Sequence, residues 1–307
     1  MAGAVPKAGE KVEHGACNLC GQGGPRPLFQ REECWLVQCR QCGLVYTSPR
    51  PAADEREHIY GEDYIRELPG GEGLETEPEW IFDPLSWEAE RMRYTTAGAG
   101  GGRVLEIGCA AGRFLALLKQ RGWEVWGVEF NPQAAAAAAK RLGARVLGGD
   151  FLNADLPQSY FDVAALFHVI EHMLDPRQAL QRIRGVLKKE GRLVLETPDF
   201  GSRSARRLGP NWPQVKPQEH LYYFDERSLR NLLEASGFCV EKVRRCGGLG
   251  LLAPSNGSGK ARDLKGTAFN LRRWVAPTPW LRKLARRFYW DFLRQNEHIL
   301  VAASRLS

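Results

Sequence analysis

From Arg103 onward, short apolar runs alternate with longer stretches in which apolar residues recur every three or four positions. Runs of the first kind suit strands buried on both faces, and the second kind suits helices laid over them. The predicted strands are Val104–Ile107, Glu124–Glu129, Arg145–Leu147, Val163–Phe167, Leu193–Glu196, Cys239–Val243 and His298–Ala302. Strands that alternate with helices imply βαβ units and a parallel sheet, so the expected class is α/β with a doubly wound sheet. Asn131-Pro132 and Asp175-Pro176 each put a capping side chain before a proline at the first helical position. The tract Ala134–Ala139 is a strong helix former. Gly122, Gly143, Gly191 and Gly237 are expected just past helix ends, in the left-handed conformation.

The pattern divides the chain. Residues 1–14 read as a tail, 15–50 as a small cysteine module, and 51–95 as a charged, aromatic connector with Tyr60, Tyr64, Trp80 and Trp87. Residues 96–246 and 295–307 carry the α/β pattern, and 247–294 interrupt it. Within that insertion, residues 255–290 hold nine Lys/Arg against one Asp, among Trp274, Trp280, Phe288, Tyr289 and Trp290. Pro279–Arg294 can form a helix with Trp280, Leu281, Leu284, Phe288 and Phe292 in a stripe. Its bland reading is a packed helix with solvated arginines. Its functional reading is a lid for an anionic acceptor, or a peripheral membrane-surface helix.

Composition narrows the class. The 307 residues are 43% hydrophobic, enough for a sizeable core. No run of 18 apolar residues occurs, and Met1–His14 lacks the apolar core of a signal peptide, so a cytoplasmic location is expected. The net charge of +7 suits an acidic partner, whether a phosphorylated or nucleotide-linked small molecule, nucleic acid or an anionic membrane.

Four of the eight cysteines form two pairs, Cys17-x2-Cys20 and Cys39-x2-Cys42, with 18 residues between them and a glycine after each pair. Two such turns can present four thiolates in a tetrahedron, so the expectation is a structural zinc ribbon whose closed site leaves no position for chemistry. Cys34 reads as a spectator, and Cys109, Cys239 and Cys246 as small core residues.

The stretch Val104–Phe114 runs from a strand through Gly108, Ala110 and Gly112 into a helix. Small residues there let a ligand lie against the backbone, and the helix start offers N–H groups. Glu106, just before the turn, can meet a cationic amino group. Glu129, ending the next strand, can accept from both hydroxyls of a ribose, and Asp150, after the third strand, can meet an adenine amine. Phe130 and Phe151 follow these acids and join the set. A carboxylate entering the turn repels a pyrophosphate, so an amino acid linked to adenosine fits better than a dinucleotide.

These motifs resemble those of the class I S-adenosylmethionine-dependent methyltransferases. Gly127-Val128-Glu129-Phe130-Asn131, Phe161–His172 and Gly191–Pro198 are similar to the later motifs of that family. The resemblance implies a seven-stranded Rossmann-like domain, with S-adenosylmethionine as methyl donor. The ribbon, Cys42–Pro51 and Tyr60…Tyr64 are similar to bacterial zinc-ribbon methyltransferases that act on sugars in antibiotic and surface-polysaccharide pathways.

Methyl transfer to a hydroxyl needs alignment and a proton acceptor, and histidine suits the second task. His220, in Pro217–Asp225 after the fifth strand, is the expected acceptor-side base, with a purely structural role as its alternative. His168, just after the fourth strand, is a second catalytic candidate and can also contact the donor. His168, Glu171 and His172 resemble the ion-binding cluster of some quinone O-methyltransferases, which carry a carboxylate where His168 stands. The alternative is that Glu171 and His172 orient the loop through hydrogen bonds. His14, His58 and His298 have no suggestive context. The functional expectation is O-methylation of a sugar or other small-molecule hydroxyl. The competing readings are an RNA methyltransferase and a non-catalytic module that keeps the fold.

Overall fold

The computed structural model describes residues 15–50, 87–97, 100–143, 145–246 and 297–306. The tail, most of the connector, and the insertion with its expected helix lie outside them, as do His14 and His58.

Seven strands form the main sheet: β4 (Arg103–Ile107), β5 (Glu124–Glu129), β6 (Val146–Gly148), β7 (Phe161–Phe167), β8 (Leu187–Pro198), β10 (Phe238–Cys246) and β11 (His298–Arg305). Their order is β10-β11-β8-β7-β4-β5-β6. Pairing is parallel from β6 to β8, and β11 inserts antiparallel between β8 and β10. Order reverses at β4, which lies between β5 and β7; ligands in such sheets bind beyond the carboxyl ends of strands at this point.

The helices begin as their sequences dictate. In α3 (Pro132–Leu142) the Asn131 side chain accepts from the N–H groups of Gln133 and Ala134, with Pro132 at the first position. In α4 (Pro176–Val186) Asp175 accepts from Gln178. In α6 (Glu226–Ala235) Asp225 and Ser228 form a reciprocal capping box. The remaining helices are α1 (Trp87–Thr96), α2 (Arg113–Lys119) and α5 (Arg203–Leu208). Gly122, Gly143 and Gly237 take positive φ as expected. Gly191 does not: it sits inside β8, which continues straight from the end of α4 with no glycine stop.

A second sheet has the order β1-β2-β3-β9, from β1 (Arg26–Arg31), β2 (Cys34–Gln38), β3 (Val45–Ser48) and β9 (Tyr222–Tyr223). Three strands come from the cysteine module and the fourth from the far half of the chain. Val45 pairs with Tyr223, and Tyr46 with Tyr222. One apolar core accordingly runs from Val37, Leu44 and Tyr46 through Leu221, Tyr222 and Phe224 to Leu166 and Leu180. Another covers the opposite face of the main sheet, with Val104, Phe114, Leu118 and Val125. Cys109 is buried, but Cys239 is exposed on β10 and is no core residue.

Candidate active site

The turn after β4 is held by backbone geometry that glycine serves. Gly108 and Gly112 have φ of 71° and 72°, and Ala110 between them takes φ 45° despite its methyl group. A Cβ on Gly108 would lie 2.5 Å from Val169 Cγ2, and one on Gly112 would lie 2.7 Å from Leu142 Cδ1. The amide of Gly108 donates to Val128 O at 2.8 Å, which locks the turn to β5.

Two carboxylates flank this turn. Glu129 Oε2 accepts from the Ala110 amide at 2.8 Å and Oε1 from the Asn131 amide at 2.9 Å. Glu129 therefore ties the turn to the end of β5, and a carboxylate with roughly four acceptor positions still has room for ligand hydroxyls. Glu106 is buried, and its Oε2 has no hydrogen-bond partner among the described residues. Burial pushes its pKa up to about 8, with Arg91 opposing and Glu129 adding to the rise. A buried carboxylate oxygen without a donor suits an incoming ammonium group. Asp150 spends one oxygen on the Leu152 amide at 2.9 Å, starting the turn that buries Phe151. Phe130 is half-buried at the end of β5.

Beyond the carboxyl ends of β7 and β8 lies a compact set of histidines and acids. His168 directly follows β7 with φ 58°, in the left-handed region that few non-glycine residues adopt. Its Nε2 is 3.2 Å from Glu196 Oε1, and its Nδ1 is 3.5 Å from Glu171 Oε1. Glu196 also meets Arg91 Nε at 2.7 Å and His298 Nδ1 at 3.3 Å. Burial disfavours the His168 cation, but the two carboxylates outweigh it and raise its pKa to about 9. Burial likewise works against ionised Glu171, and the surrounding histidines bring it down to about 2. Half-buried His168 and its two buried acids thus form an ion-pair group.

His172 and His220 are arranged differently. His172 Nδ1 is 2.9 Å from Glu219 O, and His220 Nδ1 is 2.8 Å from Gln214 O. A carbonyl can only accept, so both rings carry their proton on Nδ1 and keep Nε2 as the acceptor atom. The two rings pack edge to face at 4.7 Å. Burial and the neighbouring His172 push the His220 pKa down to about 3. Glu171, His172 and His220 each offer a ligand atom within 4.8 Å of the others, a donor set that could hold a divalent ion. The three residues that resemble an ion-binding cluster in sequence, His168, Glu171 and His172, do not form one such set. The fold groups Glu171 and His172 with His220, and groups His168 with Glu196 and His298.

Comparison with known proteins settles the class. A family model described as a methyltransferase domain matches residues 80–243. The chain belongs to this methyltransferase family. An uncharacterised methyltransferase of Geobacillus thermodenitrificans is 30% identical over 162 residues, covering 49% of this chain and 75% of that protein. A ubiquinone biosynthesis O-methyltransferase of Bradyrhizobium diazoefficiens is 33% identical over 122 residues, covering 38% of this chain and 48% of that protein. Among solved structures, a Burkholderia thailandensis 1,6-didemethyltoxoflavin-N1-methyltransferase, with its substrate and S-adenosylhomocysteine bound, shares the fold. Its TM-score is 0.51 at 16% identity, covering 92% of this chain and all of that one. This chain is thus an S-adenosylmethionine-dependent methyltransferase, and its fold is the Rossmann-like class I form. None of its described helices is long and apolar enough to cross a membrane.

Three residues of the methyltransferase's histidine–acid set escaped sequence reasoning: His298, Arg91 and the Glu196 carboxylate that pairs with both and with His168. His298 starts β11, far along the chain, and reaches Glu196 only because β11 inserts beside β8. Arg91 lies in the region read as a connector; it places its guanidinium 4.4 Å from the Phe167 ring centroid while pairing with Glu196. The only available signal for each was a charged or titratable residue aligned with a strand end.

The methyltransferase's four paired cysteines also converge. Cys17 and Cys42 have sulfurs 3.5 Å apart, Cys20 and Cys39 3.4 Å, and all four lie within 4.8 Å of one another. Both turns repeat one pattern: Gly21 donates to Cys17 O, Gly43 to Cys39 O, and each glycine has positive φ. Four metal–sulfur bonds of about 2.3 Å in a tetrahedron would place sulfurs just under 4 Å apart, so the thiols fit a zinc ion.

Proposed function

We propose that this methyltransferase transfers the methyl group of S-adenosylmethionine to a hydroxyl of a small-molecule acceptor, with His220 as proton acceptor. The observation that carries the reading is the tautomer of His172 and His220, each with Nδ1 on a backbone carbonyl, together with the grouping of both rings within 4.8 Å of the Glu171 carboxylate. The donor would lie on the turn of Gly108, Ala110 and Gly112. Glu106 would hold its amino group, Glu129 its ribose hydroxyls, and Asp150, Phe130 and Phe151 its adenine end. As the acceptor oxygen attacks the methyl group, the carbon–sulfur bond breaks and S-adenosylhomocysteine remains. The hydroxyl proton passes to His220 Nε2, and the carboxylate of Glu171 stabilises the imidazolium that forms. His168, already an imidazolium, is unsuited to take a proton near neutral pH; it supplies positive charge beside donor and acceptor. A sugar hydroxyl remains the favoured acceptor class, on the strength of the ribbon and its flanking motif.

Cys17, Cys20, Cys39 and Cys42 hold one structural zinc in this reading. Elemental analysis should return one zinc per chain; none, with four freely titrating thiols, rejects the metal. Release of S-adenosylhomocysteine across a panel of nucleotide-sugars, simple glycosides, phenols and amines tests the acceptor class. Turnover confined to amines would reject a hydroxyl acceptor. His220→Ala should lower turnover on the active acceptor by roughly 10²–10⁴-fold while leaving S-adenosylhomocysteine affinity within about twofold. Full activity in that variant would remove the base role.

A further inference from the structure

The segment that carries His220 belongs structurally to the cysteine ribbon. From Cys42 the chain passes through Gly43 and Leu44 directly into β3, and β3 is the inner strand against which β9 pairs. The pairing extends past β9 toward the site. The Thr47 amide donates to Leu221 O at 3.0 Å, and the Thr47 hydroxyl donates to His220 O at 2.9 Å in a fully buried contact. Arg50 lies over both Tyr46 and Tyr222, at 5.4 and 5.1 Å from their ring centroids. On its other side the same segment meets the turn that carries the acid and the second histidine. Leu221 N–H donates to Glu171 O at 2.8 Å, and Glu219 O accepts from His172. The chain therefore leads covalently from the second cysteine turn to Thr47, and hydrogen bonds carry the link on to the His220 segment and the turn of Glu171 and His172.

We propose that the ribbon is a working part of the acceptor side of the active site, with Thr47 as the positioning residue that holds the His220 segment in register. The inference rests on the assigned role of His220 only for its effect on turnover, since the linkage itself is structural. Thr47 is suited to the task by its place. Its backbone belongs to the ribbon sheet, its hydroxyl is the donor for His220 O, and it touches no reacting atom. Removing the hydroxyl leaves a buried carbonyl short of a donor next to His220, a local loss that a stable sheet does not repair. Losing the metal is more severe, because the turn before β3 then has nothing to tie its two thiols, Cys39 and Cys42, to those of Cys17 and Cys20. Either change should loosen residues 214–223 while β4, β5 and the turn between β4 and α2 keep their shape, since those are held by the parallel sheet.

The test compares zinc-loaded wild type with Thr47→Val and Thr47→Ser, and with wild type stripped by a chelator. Four readouts apply: amide exchange, the ¹⁵N spectrum of the histidine rings, calorimetry with S-adenosylhomocysteine, and turnover on the identified acceptor. In Thr47→Val, exchange at Leu221 and its neighbours should rise roughly tenfold, with β4 amides unchanged and cofactor-product affinity within about twofold. The His220 ring should lose its single Nδ1–H tautomer signature, kcat should fall with KM for the donor unchanged, and Thr47→Ser should restore all of these. Stripping should give the same pattern in larger measure. Unchanged exchange at 214–223 in both perturbations overturns the linkage, as does loosening that spreads equally to β4. Loosening without any fall in kcat overturns the positioning role alone. If His220→Ala itself leaves turnover intact, the base assignment fails, and the exchange result still decides the linkage independently.

Discussion

His168 Nε2 lies 3.2 Å from Glu196 Oε1, while its other ring nitrogen faces Glu171 at 3.5 Å. The imidazole is held between two buried carboxylates at the end of β7, and that placement sets its charge. Its pKa rises to about 9, above the ordinary value near 6.5 of an unfolded chain. The pairing therefore contributes its full stability below about pH 6.5 and loses it as pH climbs through about 9. Relative to His168→Gln, the wild type should lose stability across this window. A histidine titration followed by NMR should show the His168 ring still protonated at pH 8. A midpoint near 6.5 would mean that the carboxylates do not govern it.

Glu106 carries a second pH signature. Its buried carboxyl has a pKa raised to about 8, so the empty protein holds it protonated at neutral pH. An arriving ammonium group favours the ionised form and must expel that proton. Affinity for S-adenosylhomocysteine should then strengthen from pH 6 to about 8, by at most roughly tenfold per pH unit, and level off above. Calorimetry in buffers of different ionisation enthalpy should report proton release at pH 7. Glu106→Gln should flatten the profile, and a flat profile in the wild type would contradict the assignment.

The backbone of the donor turn gives a stability prediction. Gly108 combines φ +71° with a virtual Cβ 2.5 Å from Val169 Cγ2, so Gly108→Ala adds both strain and a clash. A loss of roughly 1–3 kcal/mol in denaturant unfolding is expected. Ala110 already bears the left-handed strain, at φ 45°. Ala110→Gly relieves it at the cost of a more flexible unfolded chain. The net effect should lie between zero and about 1 kcal/mol of added stability. A clear loss in Ala110→Gly would show that the turn depends on the methyl group.

The seven strands of the main sheet were legible as short runs bounded by capped helices or glycines; β4 and β7 at its centre are buried along nearly their whole length, while the edge strands β6 and β10 are half-buried or exposed along most of theirs. Glu106 and Glu129 were legible for a related reason: an acid at the end of an otherwise apolar strand has few roles besides meeting a ligand. Gly191 misled because a glycine after a helical stretch resembles a stop, whereas here the chain straightens directly into β8. The pairing of β3 with β9 carried no local signal. Its partners are Val45 and Tyr46 on one side and Tyr222 and Tyr223 on the other, and the four aromatic or branched residues look like ordinary core. Hence a module that reads as separate in sequence shares a sheet with the His220 segment. The partition of the histidines was hidden in the same way. His168 and His172 are neighbours in sequence, yet the positive φ at His168 turns it toward Glu196 while His172 turns toward His220.

The most direct measurement of the central claim is a calorimetric titration of S-adenosylhomocysteine into the wild type and Glu129→Ala. Both Glu129 oxygens hold backbone amides of the donor turn and its neighbouring strand end, and they are assigned the ribose hydroxyls as well. The account predicts one site per chain in the wild type and binding weaker by roughly 1.5–3 kcal/mol in the variant, the scale of hydrogen bonds to a charged group. Equal affinity in the two proteins, with the variant folded, would contradict it.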